Sequence, residues 1–125
     1  MVTGTHVLLY SKDPAADRAF FRDVLGFRAV DAGEGWLIFA LPPAELGVHP
    51  SNGDFVQLHA EHPLLLAVLY LMCDDVRSLV RSLGAKNVSC AEIAEAPWGL
   101  ATTMRLPSGG HIGLYQPTHP TALER

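Results

Sequence analysis

The sequence predicts an α+β fold in which two tandem β-α-β-β-β units form a curved mixed sheet, a cup, with the helices outside. Three observations carry this. An apolar run, an aspartate, a short helical period and a glycine occur twice in the same order. Each half then ends on a hairpin whose turn opens with Leu-Pro, at Leu41 and at Leu106. The chain has 125 residues with 49% apolar content, enough for one good core and too few for two large domains. A single domain over 1–125 is expected, with unit one at about 4–50, a connector at about 51–64 and unit two at about 65–117.

In chain order, His6 to Lys12 reads as the first strand. Asp13 can cap the following helix, Pro14 suits its first position, and Gly26 supplies a left-handed residue after its last turn. Ala16, Phe20 and Val24 recur every four residues and give that helix an apolar face. Trp36–Ala40 and Glu45–His49 read as the strands flanking the first Leu-Pro turn. Ser51 through Pro63 is polar and turn-rich, and reads as the connector. The second copy runs from Leu65 to Cys73, is capped by Asp74 or Asp75, carries Val76, Leu79, Val80 and Leu83 at helical spacing, and closes on Gly84. Ala101–Arg105 and His111–Tyr115 form its final hairpin, and the tail after Pro117 has little pattern.

Several functions are disfavoured. Thirteen acidic against nine basic residues give a net charge of −4, and the cations are scattered, so nucleic acid is not an expected partner. The longest apolar stretch, Leu64–Cys73, is half the roughly 20 residues needed to span a bilayer, so no membrane association is expected. No secretory leader pattern opens the sequence, so a cytoplasmic location is expected. Cys73 and Cys90 lack metal-clip spacing and read as reduced, buried thiols. No nucleophile elbow, Walker loop or dinucleotide fingerprint is present.

The runs His6–Asp13, Phe20-Phe-Arg-Asp-Val-Leu-Gly-Phe27 and Pro107-Ser-Gly-Gly-His-Ile-Gly-Leu-Tyr-Gln116 resemble the glyoxalase, bleomycin-resistance and extradiol-dioxygenase group, the vicinal oxygen chelate superfamily. The resemblance covers about residues 4 to 117. It implies a small organic ligand in the cleft of the cup and a homodimer. In metal-using members, the first and last strands of each unit supply four ligands. His6 matches the first of these, and Glu45 is the nearest carboxylate to the second. The third falls on Ala67 or Val68 and the fourth on Gly113, none of which can bind metal, although His111 lies two residues earlier on the same strand face.

Two readings follow. One is a metal-free or metal-poor module that sequesters a small aromatic or amphipathic compound. The other is a divergent metal-dependent lyase, isomerase or dioxygenase in which His6, Glu45 and His111 hold a divalent zinc, iron, nickel or manganese ion. Tyr10, Trp36, Phe39, His49, Trp98, Met104 and Tyr115 are the expected ligand contacts, because they lie on or near strands that would flank the cleft. His59, His62 and His119 lie in the connector and tail and receive no role.

Overall fold

The computed structural model describes residues 1–123, and the fold is α+β. The chain divides into two compact units: Met1–Ala40 with Arg105–His111, and Leu41–Met104 with the chain from Ile112 onward.

In the first unit, helix α1 spans Pro14–Asp23. The Ala16 N–H donates to Asp13 Oδ1 at 3.2 Å, and Pro14 opens the first turn without leaving an amide hydrogen unpaired. Gly26 has φ 72°, and beyond it the Phe27 N–H donates back to the Phe21 carbonyl at 3.0 Å. The buried face of α1 is Asp17, Phe20 and Phe21 rather than the expected line of Ala16, Phe20 and Val24, the latter pair's outer members being half-buried. The reason is visible in the aromatic packing. Phe21 stacks on Phe27 (6.0 Å) and meets Phe39 (5.8 Å) of the antiparallel hairpin β1 (Ala29–Asp31) and β2 (Leu37–Phe39). Asp31 Oδ1 closes that hairpin by accepting from the Gly33 N–H at 2.8 Å.

Asp17 is a buried carboxylate with full satisfaction. It accepts from the Ser11 hydroxyl at 2.6 Å, the Ser108 N–H at 3.0 Å and the Ser108 hydroxyl at 2.7 Å. These bonds tie α1 to the Arg105–His111 turn, 91 residues away in sequence.

The second unit contains a complete β-α-β-β-β copy. Strand β5 (Tyr70–Met72) leads to helix α2 (Val76–Gly84) and then to β6 (Ala94–Ala96), β7 (Gly99–Arg105) and β8 (His111–Pro117). The sheet order is β5-β8-β7-β6, with β5 parallel to β8 and β6 antiparallel to β7. Asp75, not Asp74, caps α2, accepting from the Ser78 N–H at 3.0 Å. Gly84 is the last helical residue rather than the stop. The left-handed position is Asn87 at φ 63°, and the Val88 N–H closes the end on the Leu83 carbonyl at 3.0 Å. The core of this unit contains Val76, Leu83, Met104, Ile112 and Leu114. Fully burying a side chain of this kind contributes roughly 1.5–3 kcal/mol.

Two expectations about the first copy change. Residues 6–12 and 45–49 form no ladder, so the first copy shows its helix and one hairpin only. A strand exists only where a neighbour accepts its hydrogen bonds, and apolar patterning does not supply that neighbour. The connector, in turn, is not simply turn-rich. It contains an antiparallel hairpin, β3 (Val56–His59) and β4 (His62–Leu65), in which His59 faces His62 across the two-residue turn Ala60-Glu61. Both turn residues have positive φ, 50° and 66°, the geometry that matches strand twist but normally selects Asn-Gly, so the turn carries no sequence signal.

Candidate functional site

The two faces of the second sheet are separated by side-chain alternation. Ile112 and Leu114 are buried, and Gln116 Oε1 accepts from the Val76 N–H at 3.1 Å, so even positions of β8 face α2. Gly113 and Tyr115 therefore face the other way. Tyr70 is the register partner of Gly113 across the parallel β5–β8 pair.

On that face three aromatic rings meet edge to face. Tyr70 and Tyr115 have centroids 5.3 Å apart at 85°, Trp98 and Tyr115 are 5.6 Å apart at 78°, and Tyr70 and Trp98 are 6.1 Å apart at 75°. Gly113 makes this possible, because a Cβ there would collide with the Tyr70 ring. The position to which the resemblance assigns the last metal ligand is thus covered by an aromatic ring. Gly99 serves the same end. A Cβ at Gly99 would strike the Gln116 carbonyl, so only glycine lets the start of β7 approach β8 beside Trp98.

Polar groups edge the rings. Tyr115 Oη donates to Glu45 Oε1 at 3.5 Å and lies 3.3 Å from His119 Nε2, while the His119 ring lies nearly parallel to Tyr115 at 27°. Glu45 Oε2 accepts from the Ala122 N–H at 2.8 Å. Burial and the adjacent Glu45 carboxylate hold the Tyr115 phenol above its ordinary value, so it remains a hydrogen donor at neutral pH.

Of the expected contact residues, Trp98 and Tyr115 come together here. Met104 does not contribute, because it is fully buried within the core of this unit, its even position on β7 matching buried Thr102. His49 is exposed and turned to the Pro50 carbonyl at 2.8 Å. In the first unit, Trp36 lies under the Arg18 guanidinium at 4.6 Å and Phe39 is engaged with Phe21. Tyr10 lines an open depression of about 370 Å³ with Ser11, Lys12 and Ser108–Gly110. Tyr70 and His119 carry no motif that singles them out. Their places follow from strand register and from the path of the tail.

The fit to a metal ion is poor. Among the described residues no group of three or more His, Cys, Asp or Glu side chains is placed to hold one, so the expected set of His6, Glu45 and His111 is not assembled. Both Glu45 oxygens already accept hydrogen bonds, and His6 and His111 are exposed. Cys73 and Cys90 are free thiols, half-buried rather than buried as expected, and the burial they have pushes both up. No helix among the described residues is long and apolar enough to cross a membrane.

The sequence matches no curated protein. Solved structures share the fold. An antibiotic binding protein, TnmS3, from Streptomyces sp. CB03234 is 23% identical with a TM-score of 0.59, over 94% of this chain and 100% of its own. A lactoylglutathione lyase from Agrobacterium tumefaciens is 19% identical with a TM-score of 0.61, over 91% of this chain and 92% of its own. A glyoxalase/bleomycin resistance protein, also from Streptomyces sp. CB03234, is 23% identical with a TM-score of 0.52, over 85% and 93%. The family model described as glyoxalase/bleomycin resistance protein/dioxygenase superfamily matches residues 5–113, and the chain belongs to that superfamily.

Proposed function

We propose that this protein binds a small, flat organic molecule, without metal, on the aromatic face formed by Tyr70, Trp98 and Tyr115. The observation that carries the reading is the Tyr70 ring lying over Gly113, which makes an aromatic surface of the strand position to which the resemblance assigns a metal ligand. Three rings with a phenol donor and a carboxylate at one edge suit a planar ligand with a polar end. One structural neighbour, TnmS3, is an antibiotic binding protein, which points the same way. The two free thiols agree with a reducing cytoplasm.

A thermal-shift screen of planar aromatic compounds tests this. A hit should raise the melting temperature of the wild type, and Trp98→Ala should bind it roughly tenfold more weakly, because losing one stacked ring costs about 1.4 kcal/mol or more. If hits bind Trp98→Ala and Tyr115→Ala as tightly as wild type, the ligand lies elsewhere. Stoichiometric zinc, iron, nickel or manganese uptake that is lost in His6→Ala would instead establish the metal-dependent reading.

We also infer a homodimer. Leu46, Val48, Leu65 and Val68 are between 79% and 91% exposed, a set of apolar side chains that a second chain would cover. Analytical ultracentrifugation should give about twice the monomer mass. A monomer at micromolar concentration overturns this reading.

A further inference from the structure

The tail that leaves β8 does not run away from the aromatic face. The Thr118 N–H donates to the Trp98 carbonyl at 3.0 Å and its hydroxyl to the Pro97 carbonyl at 3.2 Å, which turns the chain toward Tyr115. The Ala122 N–H then anchors on Glu45. Between these two fastenings, His119 is laid beside the phenol ring, with centroids 6.0 Å apart.

The orientation of the imidazole is defined. Nδ1 lies 2.7 Å from the Pro120 carbonyl, which can only accept, so Nδ1 carries the hydrogen. In the neutral ring Nε2 is then the acceptor, and it is the atom presented to Tyr115 Oη at 3.3 Å, with Glu45 Oε1 4.0 Å away. A flat heterocycle therefore sits beside a tyrosine ring, and its acceptor nitrogen at 3.3 Å shares the one phenol hydrogen of Tyr115 with Glu45 Oε1 at 3.5 Å.

We propose that His119 is a built-in stand-in for the ligand, and that the site takes a planar heteroaromatic ring whose acceptor nitrogen meets Tyr115 Oη. The tail is then a displaceable strap. A free ligand of this class competes with residues 118–122, which are held to the rest of the unit by four hydrogen bonds and one ring contact and are cheap to release. The proposal rests on the reading that ligand binds this aromatic face, and it adds the chemical class and the competitor.

The test is the full-length His119→Ala chain titrated with imidazole, and in parallel with toluene, which is flat but lacks nitrogen, and piperidine, which is not flat and whose protonated nitrogen can only donate. Imidazole should raise the melting temperature of the variant, with a dissociation constant on the order of millimolar for so small a ring. The wild type should respond at least about tenfold more weakly, because its own ring must first leave. Toluene and piperidine should have little effect on either. Equal stabilisation by toluene, or no response of the variant to imidazole, overturns the proposal.

Should His119→Ala fail to fold, the wild type decides the matter. Excess imidazole must then shift the His119 ring protons away from their position beside Tyr115 in the NMR spectrum, and an unmoved resonance overturns the idea. Failure here, together with a planar hit that still requires Trp98 and Tyr115, would sink the heteroaromatic stand-in alone. Failure of both would remove the aromatic-face reading itself.

Discussion

Asp17 shows how much one residue can decide. Its carboxylate is buried and accepts three hydrogen bonds from Ser11 and Ser108, so Asp17→Ala should leave the Ser108 N–H and two hydroxyls without their partner. A loss of about 2–3 kcal/mol in urea unfolding is expected. Ser108→Ala should cost less, because its N–H can still donate to Asp17. Gly113→Ala makes the complementary test at the site. The new methyl would collide with Tyr70, so about 1–3 kcal/mol of stability should go, and affinity for a planar hit should fall with it. Unchanged stability and binding in Gly113→Ala would mean that Tyr70 does not lie where the ring contacts place it. Nothing in the sequence marks Asp17 as special, since an aspartate in a first helical turn is ordinarily a solvated, dipole-favouring residue.

At the level of the element, the helices were the most legible part of the chain. Capping is local, so Asp13, Pro14 and Gly26 could be assigned from spacing alone. The choice between Asp74 and Asp75 could not, because both precede the apolar period by a plausible interval. Asp75→Ala should cost about 1 kcal/mol by thermal or urea unfolding, with Asp74→Ala close to neutral. Equal effects would mean that the cap is shared. The strands were legible only where a neighbour exists. β7 and β8 appear as the pattern predicts, whereas residues 6–12 carry an equally strand-like apolar run and make no ladder. The β3–β4 hairpin escaped because its Ala60-Glu61 turn uses positive φ at residues that seldom adopt it.

For the whole molecule, the alkaline side of the stability profile is the sharpest expectation. Cys73 and Cys90 are raised above 9.0, each chiefly by burial, and Tyr115 is raised above 10.0 by burial and then by Glu45. A raised value means that the folded state holds the proton more tightly than the unfolded one. The stability these groups supply is therefore complete below their ordinary values and is lost as pH rises past them. The melting temperature should fall between about pH 9 and 11. Tyr115→Phe, which has no proton to lose, should show a shallower fall over the upper part of that range. An identical slope in the variant would mean that the Tyr115–Glu45 contact does not persist in solution. The same burial should make both thiols slow to alkylate at pH 8 in the native protein and fast after denaturation, as read by mass spectrometry.

The sequence by itself determined the fold class, the superfamily, the two capped helices and the closing hairpin, and it singled out Trp98 and Tyr115, whose rings meet in the structure. These rest on local capping, on periodicity and on a motif that spans few residues, all of which are properties of neighbours along the chain. Tertiary structure alone decided that Tyr70 lies across Gly113, that Met104 is sealed in the core, that Glu45 accepts from Tyr115 and Ala122, and that the His119 ring lies beside Tyr115. Each of those depends on strand register or on contacts between residues far apart in sequence. A register shift of one residue exchanges the two faces of a sheet without changing composition or local propensity, so this information resides in the packed ladder and not in the pattern of any single strand.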